Sequence, residues 1–484
     1  MMGDKIMPLP PDGLSREAVR AALAAYRQHD VPWREGRIFA GVYDPGVDVA
    51  DVITEAYTSF LSENALYPNY FPSLLQLEND VVRTVADLLR GDSEVVGNCT
   101  SGGTESILLA VKTARDAARA LHPEMTAPEM IVSQTAHPAF HKAGHYLGVK
   151  LVVTPFDTTT LRADPAAMRA AITPNTILLV ASAPCYSYGV IDPVEEIAAL
   201  AGEHGLFCHV DACVGGIQLS IMRRAGAELP PFDFSVPGVS TVSVDMHKYG
   251  YAAKNVSTLL YRNRDLRRFA LYANAQTTGY VVLNPTVLSS KSGGPLAGAW
   301  AALNYLGEAG YREIVAEVMA TTRHLITGIG AMPDLRVLGQ PDMCMFAIAS
   351  DTLNVFALDD AMSRRGWSLQ PQFSAGGVPA TLHIAVNRSN VGREEALLAD
   401  LADACAEVKA RSSALGDVGE LRTEVERLMQ LPPGPESFAR IAALAGLQPG
   451  QMPEGFAHIN TVLDALPRQA VEALLVEYLN GLYA

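Results

Sequence analysis

VSVDMHKYGYAAKN, residues 242–255, is the stretch on which the reading of this chain turns. A β-branched apolar run ends at Asp245. A segment of small residues and tyrosines follows, with His247 before Lys248 and a second lysine, Lys254, six residues on. A lysine becomes a nucleophile where its surroundings lower its pKa. A solvated loop lysine, the usual fate of any one lysine, looks the same in isolation. The choice between them depends on what the rest of the chain brings to this segment.

Outward from it, residues 66–310 alternate short β-like runs with helical ones. EMIVSQ, KLVVTP, TILLVASAP, LFCHVDA and VSTVSVD read as strands, and ESILLAVKTARDAARAL and PVEEIAALAGEHG as helices. Such alternation predicts parallel βαβ units in an α/β, doubly wound sheet. Residues 1–65 read as a helix begun by Ser15 and a Gly- and Pro-punctuated loop, forming a separate N-terminal segment. From 311 a long helix, YREIVAEVMATTRHLITGIGAM, leads into a smaller α+β unit, and the last 70 residues read as Pro-interrupted helices up to residue 484.

Composition narrows the function classes. With 484 residues, 49% hydrophobic and 18% charged, the chain is globular and long enough for two or three domains. A net charge of −15 argues against nucleic acid as main partner, while a local pocket can still oppose that sign and take a small anion. The six cysteines form no C-x-x-C pair and read as reduced residues of a cytoplasmic protein. The N-terminus lacks an apolar run of signal-peptide length, and no run is long enough for a membrane span.

In a parallel α/β sheet, ligands bind beyond the C-terminal strand ends, and four features fall there. TSGGTES, residues 100–106, opens a helix with glycines, so Gly102, Gly103 and Thr104 form a candidate phosphate cradle; a plain turn with a capping threonine is the alternative. Asp211 in HVDACVGG ends a buried-looking strand, where a carboxylate needs a partner such as a pyridinium nitrogen, unless it caps the next helix. Lys248 is the candidate Schiff-base residue. In TAHPAFHKAGH, His137, His141 and His145 stand four apart on a predicted common helix face, yet no carboxylate completes a metal set, so no metal is expected and His137 is read as stacking on a flat ring. Phosphate cradle, stacking imidazole, strand-end carboxylate and then a lysine 37 residues later match the phosphate, ring, ring nitrogen and aldehyde of pyridoxal 5'-phosphate (PLP).

These segments, with NALYPNYFPSLLQLEND and SAPCYSYGVIDPVEEIA, resemble the fold-type I PLP enzymes, and within them most closely the sphingosine-1-phosphate lyases, relatives of the group II amino-acid decarboxylases. HKYGY followed by a second lysine is the more specific mark of the lyases. The resemblance implies a large PLP-binding domain, a smaller C-terminal domain and a homodimer with shared active sites. It implies that Lys248 binds the cofactor covalently, Asp211 pairs with its ring nitrogen and His137 stacks on it. It implies that Gly102, Gly103 and Thr104, with His209 nearby, hold its phosphate, and that Ser290 and Gly294 reach a neighbouring subunit's phosphate site. Tyr186 and Lys254 would serve proton handling or the substrate phosphate, and Tyr43, Asn64 and Tyr67 would line the substrate's phosphate end. The implied reaction is retro-aldol cleavage of a phosphorylated sphingoid base to a long-chain aldehyde and phosphoethanolamine. An amino-acid decarboxylase and a non-catalytic binding protein on the same fold are the rival expectations. Three departures from the family pattern stand out: Tyr67 in place of a histidine, Ala253 and Asn255 in place of proline and glycine, and SKSGG at 290–294 in place of SRPGG.

Overall fold

A computed structural model describes residues 9–411, 427 and 455–482. Its centre is a seven-stranded sheet of β1 (Val96–Thr100), β2 (Glu129–Ser133), β3 (Lys150–Thr154), β4 (Thr176–Ser182), β5 (Phe207–Asp211), β6 (Val239–Asp245) and β7 (Ser257–Tyr261), in the spatial order 1-7-6-5-4-2-3. The five runs read as strands in the sequence are β2 to β6, and every pairing among them is parallel. All seven residues of β4 are buried, as expected where helices cover both faces of a parallel sheet. Each large aliphatic side chain so buried contributes about 1.5–3 kcal/mol.

The departure from the parallel pattern is β7, which runs antiparallel to β6 on one side and to β1 on the other. Residues 246–256 join β6 to β7. A parallel return needs a crossover of roughly a dozen or more residues, usually with a helix, so this connection turns the chain straight back. The lysine-bearing segment is therefore a hairpin-like loop at the C-terminal end of β6.

Beyond the large sheet, β8 (Tyr272–Asn274) and β9 (Val282–Asn284) form an exposed hairpin. Helical residues then span Gly293–Gly330 as two helices that meet at Gly307, whose φ of 57° and ψ of −179° are non-helical; the second is the helix read from 311. A smaller antiparallel sheet follows: β10 (Arg336–Val337), β11 (Met345–Ala349), β12 (Gln370–Gln372) and β13 (Thr381–Ala385), in the order 10-11-13-12. Part of the N-terminal segment joins this smaller unit. The Phe39 amide donates to Ser368 O at 2.9 Å, and the Ala385 amide to Phe39 O at 2.7 Å. Ser15 caps the helix Arg16–Tyr26 as expected, its Oγ accepting from the Ala18 amide at 3.1 Å. Of the tail helices read from the sequence, Ala457–Ala465 and Arg468–Leu482 are helical, and 412–426, 428–454 and 483–484 lie outside the described residues, as do residues 1–8. Among the described residues no helix is long and apolar enough to cross a membrane. The six cysteines are all buried and unpaired.

Candidate active site

The C-terminal ends of β1, β4, β5 and β6 surround a cavity of about 370 Å³. Among its lining residues are Gly102, Gly103, Thr104, His137, Tyr186, Asp211 and Lys248. The sequence reading missed several others, notably Asp245, Cys213, His247 and Asn255. Asp245, the residue that ends β6, carried a readable signal: a carboxylate closing an apolar strand three residues before the lysine.

The glycine cradle follows from local backbone demands. Gly102 caps the helix Gly103–Leu121 at φ 155° and ψ 171°, a conformation essentially reserved for glycine. A Cβ on Gly103 would stand 2.9 Å from Asp245 Oδ1 and 3.0 Å from Cys213 Sγ, so only hydrogen fits. Glu105 locks the turn: Oε2 accepts from the Ser101 amide, and Oε1 from Val287 N at 2.7 Å and Leu288 N at 3.2 Å. The helix N-terminus thus faces the cavity with its dipole positive end and free amides.

Lys248 Nζ lies 2.9 Å from Asp245 Oδ2. Burial, the largest influence, would push the Lys248 pKa down; Asp245, Cys213 and Tyr43 together raise it above the ordinary lysine value, opposite to the lowering that activates a lysine nucleophile. Asp245 in turn is buried, which would raise its pKa, but Lys248 and His247 hold it below the usual carboxylate range. Its Oδ1 is buried without a hydrogen-bond partner. The loop carrying Lys248 is pinned from outside the large sheet, by Tyr249 OH donating to Val386 O at 3.0 Å and Tyr311 OH donating to Gly250 O at 2.8 Å. Asn255, where the lyase pattern has glycine, adopts φ 69°, a left-handed conformation that asparagine tolerates better than most residues.

Asp211 Oδ1 accepts from Cys213 N at 3.1 Å and is 3.4 Å from Ser243 Oγ; among the described residues no hydrogen bond goes to Oδ2. His137 is not on the helix with His141 and His145. Pro138 is that helix's N-cap and Ala139 its first residue, so the expected three-histidine face is absent. Instead His137 Nδ1 accepts from the Ala139 amide at 3.2 Å, which puts the ring proton on Nε2 and fixes the ring at the cavity wall. Burial pushes its pKa down. Among the described residues no cluster of three or more His, Cys, Asp or Glu could hold a metal.

The remaining expected residues fall elsewhere. His209 does not line the cavity: its β5 side chain points into the core at 0% exposure, with Nδ1 2.8 Å from Thr241 Oγ1 and Nε2 3.2 Å from Ser243 Oγ. It touches the site only through Ser243 and Asp211, and burial lowers its pKa to about 4. Lys254 Nζ sits 5.0 Å over the Tyr43 ring, and Tyr43 packs edge-on to Tyr249 at 5.0 Å. Burial, then the nearby Lys248, lowers the Lys254 pKa. Asn64 and Ser290 are joined to each other at 3.3 Å, and Asn64 Oδ1 is taken by the amides of Leu66 and Lys291. Gly294 packs on the Tyr57 ring, and Tyr67 is exposed beside Tyr70 at 5.5 Å. This chain does not bring Asn64, Tyr67, Ser290 and Gly294 to its own cavity.

The family model for the pyridoxal-dependent decarboxylase conserved domain matches residues 23–344, and a second model, for a C-terminal domain of pyridoxal-dependent enzymes, matches 420–481. Sphingosine-1-phosphate lyase of Oryza sativa subsp. japonica is 40% identical over 83% of this chain and 75% of its own length. Sphingosine-1-phosphate lyase 1 of Rattus norvegicus is 35% identical over 88% and 75%. Among solved structures, a Burkholderia pseudomallei sphingosine-1-phosphate lyase superposes with a TM-score of 0.80 at 33% identity, covering 89% of this chain and 98% of that one. A Lactobacillus brevis glutamate decarboxylase superposes at 0.73 with 17% identity, over 84% and 95%, which shows a common fold.

Proposed function

This chain belongs to the pyridoxal-dependent decarboxylase family and, within it, to the sphingosine-1-phosphate lyases, and on that premise we propose that it cleaves the C2–C3 bond of a phosphorylated sphingoid base, giving a long-chain aldehyde and phosphoethanolamine. The observation that carries the reading is the convergence of Lys248, Asp211, His137 and the glycine cradle on one cavity, with Lys254 next to it.

These residues fit PLP. Lys248 would hold the cofactor through its amine. Gly103, which has no room for a side chain, lets the phosphate approach the free amides of the helix N-terminus. Asp211 keeps Oδ2 for the ring nitrogen while Cys213 N and Ser243 Oγ hold Oδ1 in place. His137 presents a neutral ring to the cofactor's face. When bound, the cofactor supplies the electron sink for the bond that breaks. Asp211 holds the proton at the ring nitrogen. Lys254 and Tyr186 are the groups available to the substrate's hydroxyl proton and phosphate, and Tyr43, beside Lys254, shapes that end. His209 acts at one remove, by holding Ser243 against Asp211.

We assign Asn64, Tyr67, Ser290 and Gly294 to a neighbouring subunit's site in a homodimer. What supports this is their position away from their own cavity, with Asn64 bonded to Ser290 and Tyr67 exposed beside exposed Tyr70. Light scattering reads the mass directly, and a monomer at assay concentration removes the assignment.

The test of the reaction is aldehyde release from a phosphorylated sphingoid base by the PLP-loaded protein, with CO2 followed on an amino-acid panel. Aldehyde and phosphoethanolamine in equal amounts are expected. CO2 from an amino acid without aldehyde moves the chain to decarboxylation and removes the substrate roles of Lys254 and Tyr43.

A further inference from the structure

Tyr186, which lines the cavity, is backed by the small sheet, and those backing residues take no part in the steps above. Tyr186 lies in the segment after β4. Its ring is stacked on His383 of β13, centroids 4.3 Å apart and planes 33° from parallel. His383 is wholly buried, and burial lowers its pKa to about 4, so the platform is a neutral ring. Ser187 O is 3.4 Å from His383 Nδ1 and accepts from Gln372 Nε2 at 3.1 Å, which clamps the same segment to the small sheet. Tyr186 OH is 2.5 Å from Gln370 Oε1, across 184 residues of sequence.

The atom that faces the phenol is Gln370 Oε1, an amide oxygen that can only accept, so the phenol donates to it. A phenol has one proton and two lone pairs. With the proton committed to Gln370, only acceptor capacity remains for the cavity.

We propose that Gln370 is a specificity-determining residue: by taking the Tyr186 proton it makes the phenol oxygen a hydrogen-bond acceptor that recognises the 3-hydroxyl of a 2-amino-3-hydroxy substrate. The inference rests on the retro-aldol reading above. Tyr186 lines the same cavity as Lys248 and feels its charge, so the acceptor lies in the neighbourhood where the substrate amine binds. A hydroxyl brings the donor that this oxygen lacks. An amino-acid carboxylate brings only acceptors, and two facing acceptors repel. The same contact would thus favour the hydroxylated substrate and disfavour a decarboxylase substrate.

The experiment uses the PLP-loaded enzyme and two ligands: a phosphorylated sphingoid base and its 3-deoxy analogue, which cannot be cleaved. Binding of the analogue is read from the change in cofactor absorbance, and the hydroxylated substrate from kcat/KM. Gln370→Leu removes the acceptor and frees the phenol proton to turn inward. The preference for the hydroxylated compound should fall by about tenfold or more, the scale of one lost polar contact to a substrate hydroxyl. Affinity for the 3-deoxy analogue should stay within about twofold. Gln370→Glu, which keeps an acceptor, should retain the preference. In a Tyr186→Phe background Gln370→Leu should have no further effect on it, an outcome that a general packing role would not give. Equal loss for both ligands, or an undiminished effect in the Tyr186→Phe background, overturns the proposal. If the wild-type protein releases no aldehyde at all, the retro-aldol reading fails first, whereas aldehyde release with an unchanged preference in Gln370→Leu sinks this inference alone.

Discussion

Two walls face each other across the cavity, and they are built differently. One consists of strand ends of the large sheet and the turns that follow them: Gly102 and Gly103 after β1, Asp211 on β5, Asp245 and Lys248 at and after β6. Each is fixed within a few residues of a strand of the large sheet; β5 and β6 are held on both sides, and β1, at the sheet edge, is held by β7. The other consists of Tyr186 backed by Gln370 and His383, which stand on β12 and β13 of the small sheet. The first wall depends on the large sheet's own order. The second exists only if the small sheet docks against the segment after β4. The first wall should therefore govern whether the chemistry occurs, and the second which substrate it accepts.

The sharpest break would come at Lys248. Lys248→Ala removes the proposed covalent anchor and leaves Asp245 buried without the cation beside it. Aldehyde release should fall by at least about a thousandfold, the scale of losing a catalytic nucleophile. Borohydride treatment should no longer fix the cofactor to the chain. A variant that still gave a reducible cofactor–protein bond would move the anchor elsewhere, Lys254 being the nearest alternative.

Asp211→Asn comes next. Lys248 can still hold the cofactor, so absorbance should show it bound, while turnover drops on the order of a hundredfold because a buried electrostatic partner is gone. If turnover is unchanged, the ring nitrogen is served by another group and the first wall is misassigned.

Lys254→Gln should cost less, on the order of tenfold to a hundredfold, and the form of the loss matters more than its size. A raised KM with kcat preserved assigns Lys254 to the substrate phosphate. A lowered kcat whose pH profile no longer rises with pH through the lysine's titration assigns it to work as the base, which its lowered pKa permits.

The two walls also differ in what the sequence shows. A strand-end residue is legible because period and position are local. The run LFCHV announces Asp211, and TSGG before a helical pattern announces the cradle. Asp245 was readable by the same rule. The antiparallel turn of β7 was legible in principle from the shortness of 246–256, and the alternating pattern upstream hid it. Gln370 and His383 carry no such signal. Gln370 stands on a three-residue edge strand, QPQ, with no clear alternation, and its partner is 184 residues away. His383 in TLHIA looks like an ordinary strand residue. His209 misled for a related reason: its neighbour Asp211 faces the site, and only the register of β5 shows that its hydrogen bonds run to Thr241 and Ser243 inside the sheet. The helix read from 311 was legible because Gly307, at φ 57° and ψ −179°, breaks helical geometry just before it.

The smallest effect, and the one that separates the walls by stability rather than activity, is the acid dependence of His209 and His383. One lies in each sheet, and burial lowers both to about 4. An unfolded histidine titrates near 6.5. As pH falls below that value the unfolded chain takes up these protons first, so stability is lost progressively from about pH 6.5 down to pH 4. Asp192 and Asp359 act in the opposite sense. Their carboxyls are raised to about 6 and about 7, chiefly by burial, so the folded chain holds those protons longer and gains stability over part of the same range. The raw melting curve is thus a sum of opposed contributions, and the difference between variant and wild type isolates one. His383→Gln removes a titrating group without adding charge. Its melting temperature, measured against wild type at pH 7.5 and at pH 5, should recover by a few °C on acidification, relative to whatever it loses at pH 7.5. Besides burial, the one influence on His383 is the Ser187 carbonyl, so no neighbouring charge should offset the change. A difference that stays constant with pH would mean that His383 titrates in the folded protein as it does in the unfolded chain and is charged at pH 5. The platform beneath Tyr186 would then be neutral at pH 7.5 but not at pH 5, while the wall made of strand ends would stand unaltered.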